Sequence, residues 1–273
     1  MEEKRKRLGK RIDELARENL ILAFSGGVDS SLLLYMCCVA AKRYGTKVFA
    51  VTVHTKLHPS GDLDIAKKVA EEAGAEHKIA VIDELAEAGI LWNPANRCYL
   101  CKKYLFQKLA DMKEELDASY ILEGTNEDDL HVYRPGIQAL KELGIISPLA
   151  ECGVTKEEVR SLAAQYGISV AGRPSTPCMA TRFPYGTKLS YEELQRAERG
   201  ECWLREQGFY NVRLRVHAEI LRIEVDVQDM KMFLEKREEI TEYMKELGYS
   251  YVTLDLEGFR SGSMDIHLQA TNG

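Results

Sequence analysis

Long hydrophobic runs are missing from this sequence of 273 residues. The longest apolar run, residues 32–41, is far shorter than the ~20 residues that a membrane-spanning helix needs. The first turns of the chain are charged and amphipathic, without the apolar core of a signal peptide. We therefore expect a cytoplasmic protein with no membrane partner.

Excess positive charge is also missing. Lys and Arg together number 37 against 43 Asp and Glu, which gives a net charge of −6. A protein built to hold a nucleic-acid backbone needs a basic surface, so we expect no stable nucleic-acid partner. The 45% hydrophobic and 29% charged residues are typical of a globular protein and exclude disorder, collagen and coiled coil.

Apolar runs and helical patterns alternate along the first half of the chain. Four short runs predict strands: residues 20–24, 47–53, 78–82 and 119–122. Helical patterns lie before and between them, at residues 3–18, 29–44, 62–73 and 98–116. Strands separated by helices form right-handed crossovers, so we predict an α/β fold with a parallel sheet covered by helices on both faces.

The pattern changes after about residue 170, where glycines and prolines are concentrated. This change predicts one domain over residues 1–175 and a smaller α+β domain over residues 176–273. In the second domain we expect a helix at 191–207, strands at 210–217 and 220–227, a helix at 229–247 and a strand at 249–256. Arg213 and Arg215 alternate with apolar residues, which predicts a strand with one buried and one basic face.

A glycine-rich loop, residues 25–31 (SGGVDSS), lies between the first predicted strand and the next helix. Glycines let backbone N–H groups approach an anion, and the helix N-terminus adds partial positive charge. The alternative is a tight turn with Ser and Asp as helix caps. Neither a Walker A loop nor GxGxxG occurs in the chain. A second segment, residues 123–129 (EGTNEDD), also follows a strand, and its carboxylates would suit nucleotide or Mg²⁺ contacts or would complement a helix dipole.

Seven cysteines in a chain without an export signal favour metal binding or catalysis over disulfides. Cys98 and Cys101 have CxxC spacing near the start of a helix and therefore share one helical face. The spacing alone fits a redox pair, zinc or iron–sulfur, but a closed zinc site lacks a second CxxC or a histidine cluster. With Cys178 in the junction, three thiolates and one open position describe a [4Fe–4S] cluster with one unligated iron.

The run SGGVDS resembles the pyrophosphate loop of the ATP pyrophosphatase (PP-loop) superfamily, whose members cleave ATP between the α and β phosphates. The resemblance implies that ATP is a cofactor and that Mg²⁺ accompanies it. It also implies a set of nucleotide-binding residues, namely Ser25, Gly26, Gly27, Asp29 and Ser30 in the loop and Gly124 and Asn126 in the second segment.

A further set of motifs follows in order: NRCYLCKKYLF, GTNEDDL with YRPG, TKEEVR, PCMATRFPYG, VRLRVH and LDLEGFRSGS. Together they resemble the LarE family of ATP-dependent sulfur transferases. The resemblance implies a nucleotide-like small-molecule substrate, adenylation of its carboxyl group, replacement of the adenylate by sulfur, and a homo-oligomer. The chain departs from the family where residues 171–174 (AGRP) stand in place of a Trp-Asp-Lys-Pro-like run.

Two sulfur sources are open within this family. A sacrificial cysteine at the position of Cys178 ends as dehydroalanine, whereas members that also carry RCYxC resemble cluster enzymes. All three thiols are present here, so we favour the cluster on Cys98, Cys101 and Cys178.

We predict catalytic roles for Cys178 and for four charged residues. Arg213 and Arg215 suit a substrate phosphate or carboxylate, and Arg182 lies four residues after Cys178. Glu201 would hold a divalent ion or orient an arginine. The alternative for the arginines is a solvated sheet face. Rival functions are a tRNA 2-thiocytidine-type thiolase, which needs a basic surface, and an amide-forming ligase, which needs no CxxC.

Overall fold

The structure is a computed structural model and describes residues 2–59, 61–132, 134–174, 176–260 and 262–264. Two residues of the motifs above, Tyr133 and Ser261, lie outside the described residues, as does Ser175 at the predicted domain boundary. The chain forms two compact units. The first comprises most of the chain up to Thr176, and the second runs from Pro177 onward and includes two short segments, Lys56–Pro59 and Ile90–Ala95.

Four parallel strands form the sheet of the first unit. They are β1 (Leu20–Ala23), β2 (Val48–His54), β3 (Glu76–Val81) and β4 (Tyr120–Leu122), in the spatial order β3-β2-β1-β4. Leu20 of β1 is in register with Val48 of β2 on one side and Tyr120 of β4 on the other. The predicted α/β fold with a parallel sheet is confirmed, and β1 lies in its interior.

Eight α-helices lie in the described residues of this unit. They are α1 (Glu2–Leu15), α2 (Val28–Tyr44), α3 (Asp62–Ala73), α4 (Glu84–Glu87), α5 (Arg97–Glu115), α6 (Gly136–Glu142), α7 (Pro148–Glu151) and α8 (Lys156–Gln165). The prediction located α1, α2, α3 and α5 but missed α4 and the three helices after β4. Three of those four have only four to seven residues, too few to show a 3.6-residue period. The fourth, α8, has a recognisable amphipathic pattern that the prediction overlooked.

The sheet is buried on both faces. Leu20 and Leu22 of β1 belong to a core with residues of α1, α2, α3 and α8, whereas Ile21 belongs to a second core with Phe106 and Leu109 of α5. Alternate side chains of a strand point to opposite faces, so helices cover the sheet on both sides as predicted. None of the helices within the described part of the chain is both long enough and apolar enough to cross a membrane.

The second unit contains a three-stranded sheet and three helices. They are α9 (Tyr191–Glu206), β5 (Val212–His217), β6 (Ile220–Val225), α10 (Met230–Glu235), α11 (Arg237–Glu246) and β7 (Tyr251–Leu254). Strand β6 pairs antiparallel with β5 and parallel with β7. The predicted continuous helix over residues 229–247 is wrong, because α10 and α11 are separate helices that meet at Lys236.

Strand β5 has the basic face that its alternation predicts, but that face is not open to solvent. Arg213 and Arg215 are only 9% and 5% exposed. The Arg213 guanidinium lies 5.0 Å from the centre of the Phe259 ring, and Arg215 donates to the backbone oxygen of Thr181. Alternation shows which residues share a face, but not whether another layer of protein covers that face. The solvated-face interpretation of these arginines is therefore excluded.

Candidate functional site

The glycine loop follows β1 directly and leads into α2. Gly26 has φ +70°, and a Cβ atom built there would lie 3.0 Å from the Cα of Ala66 in α3. Only glycine satisfies both the left-handed backbone and the close approach of a neighbouring helix. The loop therefore packs closely against α3 at Gly26. The next residue, Gly27, is the N-cap of α2.

The hydroxyl groups of the loop bind the loop itself. Ser30 Oγ donates to the backbone oxygen of Gly27 at 3.1 Å and lies 3.2 Å from Ser25 Oγ, which accepts from the Gly27 N–H at 3.3 Å. Gly27 supplies no side-chain cap to α2. The first N–H groups of α2 are thus available for an anion, and the helix dipole favours one there.

The second predicted segment lies against this loop. A Cβ atom on Gly124 would lie 3.1 Å from the backbone nitrogen of Ser30 and 3.2 Å from the Cβ of Asp29. Asn126 Nδ2 donates to Asp29 Oδ1 at 3.1 Å. The structure therefore brings Gly124 and Asn126 together with the loop, because the carboxyl ends of parallel strands share one edge of the sheet.

Two carboxylates of that segment, Glu123 and Asp128, accept hydrogen bonds from nearby residues. Glu123 is buried and accepts from the backbone N–H and the hydroxyl of Thr125 and from Ser147 Oγ. Asp128 Oδ2 accepts from the backbone N–H of Lys156, the first residue of α8, at 2.7 Å. For Asp128 the structure thus bears out the helix-dipole alternative.

Lys156 is a functional candidate that sequence reasoning missed. Its Nζ forms an ion pair with Asp29 Oδ2 beside the glycine loop. The start of α8 was recognisable, because Thr155 and Glu158 form a capping box. No sequence signal connects Lys156 with Asp29, since the contact joins residues 127 positions apart.

The CxxC pair lies at the start of α5, on the first unit. Cys98 is exposed and Cys101 is half-buried, and both are reduced thiols that form no disulfide. Cys101 Sγ donates to Glu84 Oε1 at 3.6 Å. Glu84 is 1% exposed, and burial raises the pKa of its carboxyl to about 7 against hydrogen bonds from Thr55 and Cys101. No sequence pattern singled out Glu84.

Cys178 belongs to the second unit and precedes a single 3₁₀ turn, Met179–Arg182. It is half-buried and forms no disulfide. Among the residues that the structure describes, no three His, Cys, Asp or Glu side chains are grouped as a metal site. Thiols suit a soft metal by type, and joint ligation by Cys98, Cys101 and Cys178 stays a prediction.

Arg182 and Glu201 form a buried ion pair in the second unit. Arg182 Nε and Nη2 donate to the two carboxylate oxygens of Glu201, each at 2.8 Å, and both residues are 1% exposed. Glu201 also accepts from Arg205 and from the backbone N–H of Leu214. Burial alone would raise the pKa of Glu201, but the charge of Arg182 overcomes it and the pKa is lowered. Glu201 therefore binds two arginines, Arg182 and Arg205, and its catalytic role stays a prediction.

Arg213 carries a buried charge with no carboxylate partner. Within the described residues it makes no ion pair, and its Nη1 donates to the backbone oxygen of Val212 at 2.7 Å. Burial and the nearby charge of Arg182 lower its pKa to about 10. Arg215 is paired with Glu224 at 2.8 Å, but its Nε is buried without a hydrogen-bond partner. Both guanidinium groups thus retain capacity for an anion.

Comparison with known proteins supports these observations. A family model described as a PP-loop domain matches residues 1–131. An uncharacterised protein of Synechocystis is 38% identical over 251 residues, covering 91% of this chain and 92% of its own. The pyridinium-3,5-bisthiocarboxylic acid mononucleotide synthase of Lactiplantibacillus plantarum is 35% identical over 248 residues, covering 91% and 89%. A tRNA-specific 2-thiouridylase of Paracoccus denitrificans is 28% identical, covering 68% of this chain and 57% of its own.

The Glu201 ion pairs can be tested through stability. Glu201→Gln leaves two arginines without their countercharge, one of them fully buried, so we expect the free energy of unfolding to fall by about 3–5 kcal/mol. Urea denaturation measures the change. Glu192→Gln is the control, because Glu192 lies on the same helix with 83% of its side chain exposed and its loss costs about 1 kcal/mol or less. Equal effects of the two variants would contradict a structural role for Glu201.

Proposed function

Since the chain belongs to the LarE-type family of ATP-dependent sulfur transferases within the PP-loop superfamily, we propose that it converts a carboxyl group of a pyridinium biscarboxylate mononucleotide to a thiocarboxylate. The observation that carries the proposal is the glycine loop after β1, with Asp29 held between Asn126 and Lys156. The printed name of the L. plantarum relative supports the substrate class. Residues 1–175 would form the ATP domain and residues 176–273 the substrate and sulfur-transfer domain.

The first step is adenylation. An oxygen of the substrate carboxylate attacks the α-phosphorus of ATP, the bond to the β-phosphate oxygen breaks, and pyrophosphate leaves. The backbone N–H groups of residues 25–30 bind the departing phosphates. Lys156 offsets their negative charge, and Asp29 is the loop carboxylate that would face Mg²⁺.

Small-molecule chemistry is favoured over tRNA thiolation. The chain spans 57% of the length of the P. denitrificans thiouridylase. Its 43 acidic residues exceed its 37 basic ones, and affinity for a polyanionic backbone depends on basic contacts. Salt-dependent retardation of tRNA in a gel would reverse this preference.

The ATP reaction gives the first test of the proposal. With the mononucleotide present, we expect AMP and pyrophosphate as products, and Asp29→Ala should abolish their release. Lys156→Met removes a charged hydrogen-bond donor worth about 1.5–3 kcal/mol, so release should slow roughly 10- to 100-fold. Lys141→Met, an exposed lysine of the same unit, is the control and should react normally. Formation of ADP and orthophosphate would refute the reaction class.

Arg213 and Arg215 would bind the anionic group of the mononucleotide. Support comes from the buried charge of Arg213, which has no ion-pair partner in the part of the chain that the structure describes, and from the unsatisfied Nε of Arg215. Arg182 extends this arginine group, and Glu201 fixes its orientation. A phosphate would satisfy donors that the protein leaves open, which makes the binding energy large.

Substrate binding by Arg213 is tested by steady-state kinetics. Arg213→Gln should raise the KM for the mononucleotide roughly 10- to 100-fold and leave the KM for ATP unchanged, because one charged hydrogen bond contributes about 1.5–3 kcal/mol. Arg237→Gln, on an exposed position of α11, is the control. An unchanged KM in a folded Arg213→Gln protein would show that the buried charge serves packing alone.

Sulfur transfer completes the proposed reaction. Cys98, Cys101 and Cys178 would hold a [4Fe–4S] cluster as thiolates, and such a cluster supplies an iron with an open position for a labile sulfide. The cluster would supply this sulfide to the carbonyl carbon of the adenylate, with AMP as the leaving group and the thiocarboxylate as the product. When the sulfur donor and the adenylated substrate are bound by the same protein, sulfur transfer needs no diffusional encounter between them.

The cluster and the sacrificial route leave different proteins behind. In the cluster route Cys98→Ala loses bound iron and activity, while Cys202→Ala, at an exposed cysteine without an assigned role, retains both. After turnover the mass of the peptide with Cys178 is unchanged. In the sacrificial route that peptide loses the mass of H₂S and Cys98→Ala stays active. Iron analysis and mass spectrometry of spent protein distinguish them.

A further inference from the structure

The aromatic ring of Phe259 lies against the guanidinium group of Arg213. The central carbon of that group, Cζ, is 5.0 Å from the centre of the ring, which is within the ~6 Å reach of a cation–π contact. The same guanidinium is buried, forms no ion pair within the described residues, and donates through Nη1 to the backbone oxygen of Val212. The proposed reaction gives Phe259 no role, although this residue belongs to the motif LDLEGFRSGS.

We propose that Phe259 is a positioning residue, which holds Arg213 so that its donors face the anionic group of the substrate. The inference rests on the proposed function in one respect, that Arg213 binds this group. An aromatic ring contacts the flat face of a guanidinium group and leaves the N–H groups at its edge available. A carboxylate in the same place would accept bidentate hydrogen bonds from those N–H groups and would compete with the substrate. The ring thus stabilises the positive charge without occupying the donors that bind the substrate.

Repulsion from neighbouring arginines makes such a contact necessary. Arg182 and Arg215 place positive charge near Arg213, and burial together with the charge of Arg182 lowers the pKa of Arg213 to about 10. The negative charge of Glu201 offsets part of this repulsion, but its oxygens already accept hydrogen bonds from Arg182 and Arg205. Without the ring, we expect the Arg213 side chain to turn away from these cations and from the position in which it binds an anion.

Backbone hydrogen bonds hold Phe259 in place independently of its ring. Its N–H donates to the backbone oxygen of Val225, at the end of β6, at 2.8 Å. The preceding turn is closed by Asp255, whose backbone oxygen accepts from the Gly258 N–H at 3.1 Å and whose Oδ1 accepts from the Glu257 N–H at 3.0 Å. A substitution of the ring therefore leaves the backbone attached to the sheet, and its effect on substrate binding can be measured in a folded protein.

The test compares the steady-state kinetics of full-length variants. Phe259→Leu should raise the KM for the mononucleotide roughly 5- to 30-fold, as the loss of a desolvated cation–π contact predicts, and leave the KM for ATP unchanged. Phe259→Tyr keeps a ring and should have a KM close to that of the unchanged chain. Phe233→Leu is the control, because Phe233 is a buried phenylalanine of the same unit whose ring packs against Phe209, and both KM values should stay normal. In an Arg213→Gln background, Phe259→Leu should raise the KM no further, because its effect acts through Arg213.

Binding of inorganic phosphate to the ATP-saturated protein, measured by calorimetry, separates this inference from the proposed substrate. ATP then occupies the glycine loop, so the added phosphate reports the arginine group. Arg213→Gln and Phe259→Leu should each weaken phosphate binding, and Phe259→Tyr should bind phosphate like the unchanged chain. This pattern in a protein that does not convert the mononucleotide would refute the proposed substrate and support the positioning role of Phe259.

Three other outcomes would overturn the positioning role. If Arg213→Gln raises the KM and weakens phosphate binding while Phe259→Leu does neither, the role of Phe259 is refuted and the Arg213 site stands. If the effects of the two substitutions add in full, Phe259 acts independently of Arg213. If Arg213→Gln itself has a normal KM and normal phosphate binding, both this inference and the proposed role of Arg213 fail. Circular dichroism shows that each variant is folded, and Phe259→Met replaces Phe259→Leu if that variant is not.

Discussion

Burial of β1 on both faces is the constraint on which the first unit depends. Leu20 and Leu22 face one core and Ile21 faces the other, so the strand cannot shift in register without exposing one set. Its carboxyl end is thereby fixed beside the ends of β2 and β4. Close packing then shapes the loop that follows: Gly26 lies against Ala66, and Gly124 lies against Asp29 and Ser30. Hydrogen bonds within the loop are long, at 3.1–3.4 Å. The packing around β1 therefore contributes more to the position of the glycine loop than these hydrogen bonds do.

In the second unit, the main constraint is the pairing of buried charged side chains. Glu201 compensates Arg182 and Arg205, Glu224 compensates Arg215 and Arg222, and Arg213 has no such partner within the described residues. An interior with more cations than anions costs free energy until an anion enters. Under the proposed function, the unpaired charge lowers the stability of the empty protein and raises its affinity for an anion. Glu201 and Glu224 also hold the side chains of Arg182 and Arg215 in place. These two positive charges therefore stay near Arg213.

Sequence reasoning identified what is local and missed what the fold brings together. Strand β1, the glycine loop and the N-terminal turn of α5 each depend on residues close in the chain, and their patterns were readable. Gly124 and Asn126 were found because their segment directly follows a predicted strand, as the glycine loop does. Lys156 pairs with Asp29 across 127 positions, and Glu84 reaches Cys101 from a helix of four residues. The burial of Arg213 depends on Phe259, a residue outside its own sheet, which no alternation on β5 encodes.

The second unit is discontinuous in the chain, and this affects the order in which the protein can form. Met179 donates its backbone N–H to Leu57, Leu189 donates to Leu91, and Asn93 Nδ2 donates to the backbone oxygens of Phe183 and Pro184. During synthesis the segments at 56–59 and 90–95 leave the ribosome before the residues they bind exist. The early part of the chain must therefore keep these segments accessible until the last hundred or so residues arrive. A cut at the proline-rich junction would separate hydrogen-bonded partners rather than release two self-sufficient pieces.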